Sequence, residues 1–231
     1  MRIAIYQMAD RGEAELNIKA AYRAVVETKA DFFCLPEFFS IPADYKKRGK
    51  SLEDAWLETS VPAIESLKKA SARFGGYIIG GSVLEKCEDR YYNTCFVFKD
   101  GEIVAKYRKI NLTDWEASIG ISPGNETVSV KTKFGRFGVL ICADCLNEKI
   151  VDRVARENDL VFLPISITNS AHPKVEGHPV SEKIAKKYGV VVVKTSRIAY
   201  GVGVKSAVVK PDGIALEARN CCEEELILAY I

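Results

Sequence analysis

Phe137-Gly138-Val139-Leu140-Ile141 is the strongest apolar run in the chain, and it ends on Cys142-Ala143-Asp144. A run this short between turn signals predicts a buried strand over 134–141. A helical pattern near 148–157 starts just after Asn147, so Cys142 falls at a strand-to-helix elbow. A thiol placed there stands at the sheet edge near a helix N-terminus, with the backbone N–H of Ala143 available to an oxyanion. The plain alternative is an inert core thiol, since free cysteine is among the residues most often buried.

The alternation extends outward in both directions. Upstream, the pattern predicts strands near 2–7, 31–35, 77–84, 91–98 and 102–107, with helices near 13–29 and 60–74. Downstream it predicts strands near 127–131, 159–163, 190–196, 204–210 and 226–230, with a helix near 178–188. Turn signals such as Lys99-Asp100-Gly101, Ser122-Pro123-Gly124 and Pro211-Asp212-Gly213 punctuate these runs. No linker, composition shift or repeat divides the chain, which predicts a single domain over 1–231 in the α/β class, with one large sheet or two covered by helices. The longest non-periodic stretches, 38–52, 111–127 and 166–177, are where loops form sites.

The 231 residues are 48% hydrophobic and 28% charged, an ordinary globular mixture. Thirty-three Lys and Arg against 31 Asp and Glu leave a net charge of +2, too little to hold a polyanion across the surface. The densest basic stretch, Lys46-Lys47-Arg48 with Lys50, reads as a solvated face, so no nucleic-acid partner is expected. No apolar run approaches the ~18 residues of a membrane span, and the N-terminus reads as a first strand rather than a signal peptide. Seven cysteines, an odd number in a chain needing no staples, point to a reducing cytoplasm.

Two further polar residues end apolar runs. Glu37 follows Phe32-Phe33-Cys34-Leu35-Pro36, where apolar surroundings and a neighbouring cation act in opposite directions on a carboxyl group and set it up as a general base. A loop glutamate capping the next segment is the alternative. Lys109 closes Val104-Ala105-Lys106-Tyr107-Arg108, where strand alternation places it on the face of Tyr107. There its ammonium can stabilise an oxyanion and lower a thiol's pKa. An edge-strand lysine that discourages aggregation is the competing reading.

The order Glu37, Lys109, Cys142, each in its local sequence, resembles the carbon–nitrogen hydrolase family, also called the nitrilase superfamily. Gln7, Leu35-Pro36-Glu37-Phe38, Tyr92-Asn93-Thr94, Tyr107-Arg108-Lys109, Ser122-Pro123-Gly124, residues 138–144, Arg197 and residues 206–213 carry the resemblance over most of the chain. It implies a four-layer αββα sandwich, with Glu37 as base, Lys109 as oxyanion stabiliser and Cys142 as nucleophile. Glu116 resembles the family's second glutamate, which supports the triad and positions substrate. Homo-oligomerisation is a further family expectation. No metal or organic cofactor is needed, and the implied substrate is a small amide or carbamoyl compound whose non-peptide C–N bond is hydrolysed through a thioester. The long loops place Tyr45, Trp115, Ser166, Asn169 and His172 at the expected substrate pocket. Leu146 stands where many relatives carry an arginine, which disfavours N-carbamoyl amino acids, and Ala143-Asp144 after the thiol favours amides over nitriles.

Other readings compete. Cys142 and Cys145 form a C-x-x-C between strand and helix, the setting of a thioredoxin-like redox pair, which would leave Glu37 and Lys109 unexplained. A disulfide between them would silence a hydrolase. Zinc lacks a second ligand pair. A Cys–His dyad drawing on His172 or His178, an acyltransferase, a nitrile hydrolase and a non-catalytic scaffold also stay open.

Overall fold

Alternate residues of Arg2–Ala9 (β1) point into different apolar clusters, and that alternation sets the layering. Ile3 and Ile5 meet residues of a second sheet, whereas Ala4, Tyr6 and Met8 meet helices. The computed structural model describes residues 1–169, 171, 175 and 177–231. After β1 come α1 (Ala14–Glu27), β2 (Phe32–Cys34), α2 (Leu52–Ala55), α3 (Val61–Phe74), β3 (Tyr77–Ile79), β4 (Val83–Cys87), β5 (Arg90–Lys99), β6 (Glu102–Arg108) and α4 (Asp114–Ser118). Then follow β7 (Ser129–Thr132), β8 (Gly135–Val139), α5 (Glu148–Ala155), β9 (Leu160–Ile165), α6 (Pro179–Tyr188), β10 (Val191–Ile198), β11 (Ala207–Lys210), β12 (Gly213–Glu217) and β13 (Glu225–Tyr230).

β6, β5, β3, β2, β1 and β13 lie side by side in one sheet, with β4 also pairing β5; β7 to β12 make the other in sequence order. Among the described residues the two join only where the ends of β1 and β10 pair, Met8 with Arg197 and Ala9 with Ile198. Between the sheets Phe32, Tyr107, Phe137 and Phe162 fill the centre. Ala21 and Val25 of α1 and Leu67 of α3 cover one outer face, while Val154 of α5 and Ile184 of α6 cover the other. The result is the four-layer αββα sandwich expected above. β1, β2, β3, β8, β9 and β10 run parallel to their neighbours through the junction, so the carboxyl ends of β2 and β8 open on the same rim, the usual place for a site in parallel sheets.

The structure departs from the sequence expectations at a few points. The apolar run 77–84 is two strands, broken at Gly80-Gly81, because Gly81 turns the chain at φ 61 against the Pro36 carbonyl. A Cβ on Gly81 would stand 2.0 Å from that oxygen. β12 was not anticipated; its burial is shallow and it carries little apolar alternation. Residues 45–48 and 114–118, read as loop, form short helical turns.

Candidate active site

Glu37 emerges one turn beyond β2 and is 3% exposed. The segment is pinned from both sides: Ser82 donates its backbone N–H to the Pro36 carbonyl (3.3 Å), and its hydroxyl oxygen accepts the Phe38 N–H (3.2 Å). Phe38 adopts φ 51, a strained conformation for a bulky residue and one that clusters at functional sites.

Lys109 follows β6 and is 1% exposed. Its own N–H donates to the Asn93 carbonyl (2.8 Å), and its carbonyl accepts from Gly124 (2.8 Å). Gly124 is required there, since a Cβ would come within 2.3 Å of the Arg108 oxygen. The Lys109 Nζ donates to Glu37 Oε1 at 2.9 Å and to Glu116 Oε2 at 2.7 Å. Asn93 closes the ring, its Nδ2 donating to Glu37 Oε1 (2.9 Å) and Glu116 Oε1 (2.7 Å). Glu116 is set by a capping box at the start of α4: its Oε2 accepts the Thr113 N–H and hydroxyl, while Thr113 Oγ1 accepts the Glu116 N–H. Buried charge is tolerated here because the Lys109 ammonium and the two carboxylates share charge-assisted bonds, while the buried Asn93 Oδ1 is left without a partner among the described residues.

Electrostatics follow from this packing. Burial opposes the charge of Lys109, but the carboxylates of Glu37 and Glu116, with Cys142 beside them, outweigh it and hold the ammonium protonated well above its usual range. Burial likewise works against the Glu116 carboxylate, yet Lys109, the Thr113 N–H and Asn93 bring it below the ordinary 4.5. Cys142 lies just past β8 with φ 46, the left-handed turn that lifts a thiol out of the sheet edge. Burial pushes this thiol well above its ordinary value and the Glu37 charge adds to that, whereas Lys109 and the Ser166 N–H pull it back. The resting group is therefore a neutral thiol beside a carboxylate and an ammonium.

Asp144 fixes that turn. Fully buried, it accepts the Ile141 N–H (2.9 Å), the Ile110 and Asn111 N–H groups (3.2 and 2.7 Å) and the Tyr107 hydroxyl (2.8 Å). The elbow carrying Cys142 is thereby tied to the strand end carrying Lys109. Asn111 also donates to the Ala143 carbonyl at 2.7 Å.

Glu37, Lys109, Glu116, Cys142 and Ala143 all border one cavity of about 950 Å³. Tyr45, Trp115, Ser166 and Asn169 border it too. Tyr45 is buried, with its hydroxyl on Glu58, whereas Trp115 is 48% exposed at the rim beneath Lys46. His172 lies outside the described residues. His178 is hydrogen-bonded to Glu217 at 2.9 Å, and Cys142 and Cys145 are both free thiols. Sequence reasoning used Asn93 and Asp144 only as marks of the family resemblance and of the amide preference, and gave neither of them, nor Thr113, a structural role in the site. The T-x-x-E spacing of Thr113 and Glu116 is a readable capping signal, and a polar Asn93 inside an apolar strand is another.

A four-layer α/β sandwich with a thiol elbow facing a buried carboxylate–ammonium–carboxylate cluster defines the class. The family model described as carbon-nitrogen hydrolase matches residues 2–231, and the chain belongs to that family. It is 28% identical to the omega-amidase NIT3 of Saccharomyces cerevisiae over 97% of this chain and 82% of that protein. It is 30% identical to the hydrolase C26A3.11 of Schizosaccharomyces pombe over 70% of this chain and 53% of that protein, and 32% identical to the human omega-amidase NIT2 over 62% and 55%. The chain thus spans only about half the length of several curated relatives in these matches. Among solved structures, an amidase from Nesterenkonia sp. AN1 superposes with a TM-score of 0.82 at 20% identity, covering 100% of this chain and 93% of that one. In that structure acrylamide has added to the active-site cysteine.

Proposed function

We propose that this chain is a single carbon–nitrogen hydrolase domain, residues 1–231, that cleaves the C–N bond of a small amide through a thioester on Cys142. The observation that carries the reading is Lys109, buried between Glu37 and Glu116 and bordering the cavity that Cys142 enters. Sulfur attacks the carbonyl carbon as its proton passes to Glu37. The oxyanion that forms is held by the Lys109 ammonium and the Ala143 N–H. Collapse breaks the C–N bond while Glu37 returns the proton to the departing nitrogen, and ammonia or an amine leaves. Glu37 then takes a proton from water, whose oxygen attacks the thioester, releasing a carboxylic acid and the thiol. Glu116 and Asn93 keep Lys109 and Glu37 in place, and Glu116 also borders the cavity.

The omega-amidase relatives support an amide substrate, and Ala143-Asp144 favours amides over nitriles. The same reading places the protein in a reducing cytoplasm, supported by the free thiols of Cys142 and Cys145. It also makes the chain a homo-oligomer, supported by the exposed apolar residues Leu226, Leu228 and Tyr230 on β13. The test is ammonia release from a panel of small amides, carbamoyl compounds, ω-amido acids and nitriles under reducing conditions, with Cys142→Ala alongside. Release by the parent alone is expected, and equal release by both proteins would overturn the reading.

A further inference from the structure

Lys109 reaches the active site from the end of β6, a strand with little to hold it. Among the described residues β6 pairs only with β5, and Tyr107 is the one buried residue of its seven. So short a buried face specifies register weakly, and a slip of one residue would carry every side chain to the opposite face. The hairpin turn at Asp100-Gly101 does not settle the matter, because the ladder shifts on the way. Phe98 pairs Ile103 but Val97 pairs Ala105, which leaves Val104 as an extra residue. Lys109 lies beyond that bulge.

The other face of the same strands carries an ionic cluster with no part in the chemistry above. Glu85 of β4 pairs Tyr92 of β5, and Thr94, two residues on, pairs Arg108 of β6, so the four side chains share one face. Asn93, Tyr107 and Lys109 alternate onto the opposite one. Glu85 is buried. Its Oε2 accepts from the Thr94 hydroxyl (2.7 Å) and Arg108 Nε (2.8 Å), and its Oε1 accepts from Arg108 Nη2 and Lys106 Nζ (both 2.8 Å). One carboxylate thereby ties three strands together, and its contact with Arg108 is bidentate, the geometry that adds directional specificity to charge. The guanidinium also stacks 3.9 Å from the centroid of the Tyr92 ring. Burial works against the charge of Glu85, yet Arg108, Lys106 and Thr94 hold its carboxyl down at about 2, so the cluster stays ionised near neutral pH.

The cluster stands one residue from the active site along both strands. Lys109 follows Arg108 and donates its N–H to the carbonyl of Asn93, which precedes Thr94. Holding Arg108 opposite Thr94 therefore holds Lys109 opposite Asn93, its neighbour in the ring with Glu37 and Glu116.

We infer that Glu85 is a positioning residue for amide hydrolysis, a clamp on Arg108 that fixes the β5–β6 register and so keeps the Lys109 ammonium at the reacting carbonyl. This rests on the amidase reading. Glu85 is not among the residues that border the cavity, so it acts through Arg108 and the backbone.

The experiment follows ammonia release from whichever amide of the panel the parent cleaves fastest, in the parent, Glu85→Ala, Glu85→Gln and Arg108→Lys. Rates are taken per folded molecule, with the folded fraction read by circular dichroism. In Glu85→Ala kcat is expected to fall roughly 10- to 100-fold, the loss that follows a misplacement of about 1 Å, while KM changes by less than about threefold. Glu85→Gln keeps one acceptor oxygen and Arg108→Lys gives up the fork, so both should fall between, and they carry the comparison if Glu85→Ala does not fold. A merely structural role would lower the folded fraction and leave kcat per folded molecule unchanged, and that result would overturn the assignment. If the parent cleaves none of the panel, the amidase reading has failed, and amide hydrogen exchange decides the clamp separately. Exchange over residues 102–110 that quickens at least about tenfold in Glu85→Gln, with β10 unaffected, upholds the clamp. Exchange that is unchanged, or quickened equally in both segments, overturns it.

Discussion

The Tyr107 hydroxyl donates to Asp144 Oδ2 across 2.8 Å, joining the strand that ends in Lys109 to the turn that begins with Cys142. Two groups that must meet one carbonyl come from different sheets, and this bond with its backbone companions sets their spacing. Tyr107→Phe removes one of the donors to a buried carboxylate and is expected to cost about 1.5–3 kcal/mol of stability. The rate should fall through kcat more than KM, because the groups misplaced are those that act in the transition state. Denaturant melts and steady-state ammonia release check both.

Lys109→Ala leaves Glu37 and Glu116 buried without their shared cation. Breaking a buried ion pair from one side costs about 3–5 kcal/mol. The turnover of whatever protein folds should drop at least ~10²-fold, since an oxyanion donor contributes that much. Unchanged turnover in folded Lys109→Ala would remove the oxyanion role.

Glu116→Gln tests the linkage. The folded protein holds this carboxyl below its ordinary 4.5, so its ionisation stabilises the fold at pH above about 4.5, and the contribution disappears as pH falls through the lower folded value. Glu116→Gln is therefore expected to be less stable than the parent at neutral pH, with the gap narrowing as the solution is acidified below 4.5. Melts across an acid series give the curve, and a gap that widens on acidification would contradict the assignment.

Gly81→Ala puts a Cβ against the Pro36 carbonyl and into a left-handed conformation at once. Strain of this kind costs of order 1–3 kcal/mol, and it falls on the segment that presents Glu37. Both stability and kcat should decline together, whereas Gly213→Ala, whose Cβ meets nothing within 4 Å, should affect stability alone.

Much of this was readable in the chain because strand ends announce themselves. Glu37, Lys109 and Cys142 each terminate an apolar run, and the fold gathers those termini because the parallel strands share one rim. Asn93 and Asp144 were harder to read. Their roles depend on partners far off in sequence: Asn93 bonds Glu37, 56 positions away, and Asp144 bonds Tyr107, 37 away. Periodicity reports burial and says nothing of which buried polar groups meet.

The central claim is that the acyl group passes through Cys142. Enzyme turning over an amide can be quenched in acid, digested with trypsin and sequenced by mass spectrometry across the peptide 137–149, which carries both Cys142 and Cys145. The account predicts the acyl mass on Cys142, and no ammonia release from Cys142→Ala. An acyl group on Cys145, or ammonia release undiminished in Cys142→Ala, would contradict it.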